Sequence, residues 1–475
     1  MALRRIGRLS VFSLLLLFGF INAYEIPTVN IQAFTPKGFR ASIPDAPNVG
    51  LFVFQGNVNR QIGKKDVGAL SGEVLEATDG RWVFSDPNIQ LKVGDVINYY
   101  VFVSVNSAGY LKDKLTFTIS ELEDRGAPIQ PAVQECRPSK TIIQGRTACS
   151  GQTIFEDDFL TLREDLWQVE HYVPLEHPEF PYVSYQKQTV SVENGHLRIA
   201  PVLQQNLPGF NNESIYSGEL NLFEGCTATA NECAVRASGA SILPPIASGR
   251  ITSKGLVFTY GTVHVRAKLP QGDWLYPEIL LEPIRKKYGN LFASGVLKIA
   301  SARGNRELTV GVNDFGNKVL YGGPIMSYSC RQYLIQSNRL SNGKMWGDDF
   351  HVYTLNWTPD RIVLLVDNEE WARIEPLGNG LQGRFPPNCR DVPRSFLAMG
   401  SKMAPFDDNF YITLGVAAGG ITEFRDDYYT QGYRPKPWKN QGRKASLYFW
   451  KDMENWLSTW ETPELLVDYI KVVAI

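Results

Sequence analysis

The sequence predicts an all-β protein built from two unequal β-sandwich units. Three observations predict it. Short runs rich in β-branched and aromatic residues recur between turn signals along most of the 475 residues. Gly 41, Pro 28 and 12% aromatics fit turn-rich β structure. Residues 24–121 hold no helix-length apolar pattern of period 3.6. The chain is also too long for one typical core, so two or more domains are expected.

Residues 24–121 read as the first unit. Strand-like runs fall at 29–34, 38–43, 50–55, 81–84, 96–104 and 115–119. Turns fall at Asp45-Ala46-Pro47-Asn48, Asp79-Gly80 and Val93-Gly94-Asp95. Short strands at this spacing predict a small Ig-like β-sandwich. Residues 122–150 are polar and contain Pro128, Pro131, Pro138 and two cysteines, which reads as a linker. Residues 151–475 form the large unit. Its strand-like runs are 195–199, 256–268, 276–281, 308–312, 351–357, 361–366, 410–417 and 465–473. Two large packed antiparallel sheets with long loops are the natural arrangement.

Arg4, Arg5 and Arg8 precede an apolar run, 11–21, that is too short to span a bilayer. Ile21-Asn22-Ala23 ends in a small residue, so residues 1–23 read as a secretory signal peptide. No later stretch is long and apolar enough to span, and the mature chain is expected to be secreted. A net charge of -1 gives no basic footprint for nucleic acid. Secretion permits disulfides. Cys136, Cys149, Cys226, Cys233, Cys330 and Cys389 allow fifteen pairings. Sequence neighbours suggest 136–149 and 226–233, which leaves 330–389. No Cys/His cluster or cofactor motif points to a metal or a cofactor. Asn212-Glu213-Ser214 and Asn356-Trp357-Thr358 are glycosylation sequons, the second within a strand-like run.

Motifs spread over the large unit carry a resemblance. They include Phe155-Glu156-Asp157-Asp158-Phe159, Gly249-Arg250-Ile251-Thr252-Ser253, Tyr260-Gly261-Thr262-Val263-His264 and Gly272-Asp273-Trp274-Leu275-Tyr276-Pro277. Ser294 to Asn305 and Asn409-Phe410-Tyr411 to Gly419-Gly420 complete the series. In this order they resemble glycoside hydrolase family 16, the laminarinase (β-1,3-glucanase) group, which implies a β-jelly-roll (concanavalin-like) sandwich. Active members carry Glu-x-Asp-x-x-Glu in that stretch. A retaining glycosidase needs a nucleophile and an acid/base about 5–5.5 Å apart. Residues two apart on a strand share a face, and a β-bulge is needed to bring the last glutamate back to it.

In this chain the resemblance puts Val296 at the nucleophile, Lys298 at the helper aspartate and Ser301 at the acid/base. Valine cannot attack, serine is too weak an acid, and lysine inverts the charge. The expectation is therefore a domain without catalytic carboxylates. The alternative is a β-1,3-glucanase with relocated carboxylates, for which Glu278 and Glu282, four apart on one strand, are the candidates. Trp274 and Tyr276 are candidates to stack on glucose rings, and Arg303 and Asn305 to bond hydroxyls.

The first unit carries Pro36-Lys37-Gly38-Phe39-Arg40, Leu51-Phe52-Val53-Phe54-Gln55-Gly56-Asn57, Gly80-Arg81-Trp82-Val83-Phe84 and Leu91-Lys92-Val93-Gly94-Asp95. These resemble the N-terminal carbohydrate-binding module (family 39) of insect β-1,3-glucan recognition proteins, also called Gram-negative-binding proteins. The resemblance implies a secreted haemolymph receptor for β-1,3-glucan and other microbial cell-wall polysaccharide. It also implies a role upstream of a serine-protease cascade leading to prophenoloxidase or Toll activation. Asp45 and Trp82 are the positions carried over as ligand-binding. The family's arginine has no counterpart in Ser85-Asp86-Pro87.

Overall fold

The computed structural model describes residues 24–63, 66–78, 80–106, 108–124, 136–340 and 343–475, and the expected signal peptide lies outside them. The chain divides into two compact units, 1–134 and 135–475.

Among the described residues the small unit has eight strands: β1 (Asn30–Thr35), β2 (Phe39–Pro44), β3 (Val49–Val58), β4 (Leu70–Val74), β5 (Arg81–Asp86), β6 (Val96–Val105), β7 (Ala108–Thr118) and β8 (Glu123–Asp124). They make two four-stranded sheets, ordered β5-β2-β1-β8 and β4-β3-β6-β7. Alternation sorts the faces. Phe39, Ala41 and Ile43 of β2 meet Phe52 and Phe54 of β3 and Val101 and Val103 of β6 in the core. Each fully buried side chain of this size contributes roughly 1.5–3 kcal/mol. β4 was not expected, because Ser71, Gly72 and Glu73 have low strand propensity. Gly72 is there for space: a Cβ would lie 2.4 Å from the Phe84 ring.

The large unit packs a ten-stranded sheet and an eight-stranded sheet around one core. The first carries the central strands Leu275–Pro283, Val296–Ser301, Val319–Ile325 and Phe410–Ala418. The second carries Gly261–Lys268, His351–Trp357 and Leu465–Val473. The run expected at 256–268 is two strands. Tyr260 takes φ 63° and breaks it, so Phe258–Thr259 joins one sheet and Gly261–Lys268 the other.

The linker expected over 122–150 is corrected in its second half. Pro138–Ile143 and Arg146–Cys149 form a hairpin that pairs with Phe258–Thr259 on the ten-stranded sheet. Its tight turn has Gln144 at φ 48° and Gly145 at φ 81°, the two positive values that suit a hairpin. Cys136–Cys149, Cys226–Cys233 and Cys330–Cys389 are bonded, as neighbour pairing suggests. Among the described residues no helix is long and apolar enough to cross a membrane. Asn212 is exposed at the start of a short helix. Asn356 lies mid-strand, paired on both sides to Thr262 and Val363, with its Oδ1 buried.

Candidate functional site

The strand Val296–Ser301 is buried along its whole length, between Leu275–Pro283 and Val319–Ile325. Its register shifts between Lys298 and Ser301, which is where a bulge is required to put both on one face. Val296 packs with Leu280, Phe292 and Ile325 in a small apolar cluster. Ser301 Oγ donates to the Pro277 carbonyl at 3.3 Å. Lys298 Nζ reaches Glu423 Oε2 at 3.0 Å, and both side chains are buried. Arg303 meets the other oxygen of Glu423 at 3.0 Å, and Arg331 approaches at 3.8 Å. Burial by itself would raise the Glu423 pKa. The charges of Lys298, Arg303 and Arg331 outweigh it and hold the carboxylate well below its usual range.

The space over this strand is a cavity of about 20 Å³, lined by Glu179, Tyr276, Leu280, Val296 and Lys298 among others. It has room for about one water molecule. A hexose ring does not fit.

Glu278 and Glu282 form a charge network around Arg250. Glu278 Oε1 lies 3.0 Å from His177 Nε2, and its Oε2 accepts from the Tyr185 hydroxyl at 2.8 Å. Glu282 pairs with Arg250 and accepts from Thr413. Burial pushes the Glu278 pKa up, but Arg250, His177 and Tyr185 hold it at about 2. A carboxylate so held has no proton to donate at neutral pH. Both carboxylates of the pair are engaged by protein partners.

The four expected sugar contacts of the large unit are likewise engaged. Trp274 is 2% exposed and packs on Phe424 and Trp438. Tyr276 is equally buried, against Phe424. Arg303 donates to the carbonyls of Glu423 and Phe315 and lies over the Tyr321 ring. Asn305 accepts the Trp274 N–H at 3.1 Å. All four are buried or half-buried and held by these protein partners.

In the small unit the structure brings the two expected residues together. Trp82 Nε1 donates to Asp45 Oδ1 at 2.7 Å, and the Ala46 N–H donates to the same oxygen at 2.9 Å. Asp45 is exposed, whereas Trp82 is a core residue at 3% exposure. Trp82 offers no free ring face, and its indole N–H fixes the carboxylate. Sequence reasoning missed two arginines. Arg40 sits between Gln32 and Ser85 in register across β1-β2-β5. Arg81 donates to Ser42 Oγ at 3.0 Å. Both alternate with core residues, and that alternation was the available signal.

Residues 25–130 match the model of a carbohydrate binding domain (family 32), CBM39. The chain is 60% identical over 462 residues to a β-1,3-glucan-binding protein of Hyphantria cunea, covering 95% of this chain and 96% of that one. The chain belongs to the insect β-1,3-glucan-binding protein family. Within it, the Gram-negative bacteria-binding protein 3 of Drosophila melanogaster is 30% identical over 509 residues, covering 100% of this chain and 99% of the relative. Among solved structures, the catalytic domain of an endo-1,3-β-glucanase (laminarinase) of Thermotoga petrophila matches at 17% identity and TM-score 0.42. That match covers 68% of this chain and 97% of the domain.

Proposed function

We propose that this protein is a secreted, non-catalytic receptor for microbial β-1,3-glucan. The small unit binds the polysaccharide, and the large unit is a hydrolase-like scaffold that no longer cuts. One observation carries the non-catalytic part: Lys298 occupies the helper-carboxylate position and is neutralised by Glu423 at 3.0 Å, under a cavity too small for sugar. The names of the relatives and the carbohydrate-binding model support the ligand class. The signal-like N-terminus and three disulfides support secretion. In this reading Asp45, held by Trp82, contacts glucan hydroxyls on the small unit, with Arg40 and Arg81 on the same sheet. Binding signals to a serine-protease cascade, a role carried by family resemblance.

The test is a pull-down of the pure full-length protein on insoluble curdlan, with reducing-sugar release from laminarin measured alongside. Retention on curdlan without sugar release is expected. Release that disappears in Glu278→Gln would replace this reading with the glucanase. Absence of curdlan binding would remove the glucan ligand.

A further inference from the structure

A second and larger cleft opens in the large unit, at the start of the strand Leu275–Pro283. Its volume is about 550 Å³, within the range typical of small-molecule sites. Trp274 and Trp456 are among its lining residues, and both are buried. Trp274 takes φ 69°, a left-handed value that a bulky residue keeps only where its surroundings enforce it. Phe424 and Trp438 flank its ring. Trp456 stacks between Phe449 and Trp460. The next-door Asp273 is fixed through its backbone: its N–H donates to Thr459 Oγ1 and its carbonyl accepts from Trp460 Nε1.

The walls have a different chemistry. Arg434 Nη1 donates to Asn455 Oδ1 at 2.8 Å, and Asn455 Nδ2 donates to Asp452 Oδ1 at 2.6 Å. This is a run of alternating donors and acceptors along one wall. Tyr448, from the helix Ala445–Lys451, is 48% exposed at the cleft and leaves aromatic surface uncovered. Two cations, Arg434 and Lys451, face two carboxyl groups, Asp273 and Asp452, so the lining has no large charge excess to select an ion. A hexose matches such a lining. Its hydroxyls both donate and accept, and its apolar C–H face lies against an aromatic ring.

We propose that this cleft is a second saccharide site, for a short run of neutral hexose units of β-glucan type. It extends the glucan-binding reading to the large unit and uses no small-unit residue. It is also distinct from the filled strand at Val296–Ser301. A polysaccharide chain held by both units would be retained by avidity, with each contact individually weak.

The test titrates laminarihexaose into the full-length protein by calorimetry, for wild type, Tyr448→Ala, Tyr448→Phe and Asn455→Ala. The changed residues are exposed, and circular dichroism checks their folding. Tyr448→Ala and Asn455→Ala are each expected to weaken hexasaccharide binding by about tenfold or more. Tyr448→Phe should leave it within about twofold. Hexasaccharide binding unchanged in Tyr448→Ala and Asn455→Ala overturns the proposal. So does absence of hexasaccharide binding while the curdlan pull-down persists, an outcome that leaves the small-unit reading intact. Hexasaccharide binding that survives loss of the curdlan pull-down supports the second site and removes the first.

Discussion

Replacing Lys298 by methionine removes one charge from a buried cluster and keeps most of the side-chain volume. At 3.0 Å, the Lys298–Glu423 attraction is about 5–6 kcal/mol at an effective dielectric of about 20. Lysine's own desolvation penalty disappears with it, and Arg303 and Arg331 stay beside the carboxylate. The net cost should therefore fall at the lower end of what breaking a buried pair costs, about 3 kcal/mol. Glu423→Gln leaves three cations together and should cost about 4 kcal/mol. In the double variant the losses should not add, leaving a coupling of about 2 kcal/mol. Urea unfolding of the full-length protein near neutral pH, followed by tryptophan fluorescence, measures each term. Nearly all the tryptophans lie in the large unit, so the signal reports its unfolding. A Lys298→Met cost below about 0.5 kcal/mol, or an additive cycle, would refute the argument that this lysine is a structural countercharge.

Four further outcomes are expected. Writing carboxylates back at all three positions, Val296→Glu, Lys298→Asp and Ser301→Glu, should give a destabilised protein without laminarin hydrolysis. It buries one carboxylate among Leu280, Phe292 and Ile325 and sets another against Glu423; sugar release by the triple variant would contradict this. Burial lifts the Asp273 pKa from 3.8 to about 7, against the opposing pull of Asn305 and Arg434. The fold therefore disfavours its ionised form, and stability should fall as pH rises from about 4 through about 7, by no more than about 4 kcal/mol. Asp273→Asn should unfold like wild type near pH 4 and at higher temperature than wild type near pH 8 in calorimetry, and parallel pH profiles would count against it. Trp82→Phe loses a hydrogen bond to a carboxylate and should cost the small unit about 2 kcal/mol while weakening curdlan retention. Asp45→Ala should lower retention with less effect on chemical unfolding.

The sequence by itself determined what depends on local pattern. Alternation and turn residues located most strands of the small unit and several long strands of the large one, because side chains alternate faces along a strand whatever lies opposite. Cysteine proximity suggested two bridges and left the third by elimination. That Val296, Lys298 and Ser301 carry no carboxylate was legible because a carboxylate is either encoded or absent. Tertiary structure decided whatever depends on which distant residues meet. Glu423 is 125 positions from Lys298, and no local pattern marks it as the countercharge. Asp45 and Trp82 were legible singly, but only the packing of β2 on β5 makes the tryptophan a buried support rather than a platform. The hairpin at 138–149 looked like a linker until Phe258–Thr259 supplied the strand it pairs with. The cleft walled by Asp273, Arg434 and Asn455 draws on three separate stretches of chain. A local pattern reports what a residue can bond, and the fold alone sets the distance and dielectric that decide which bond forms.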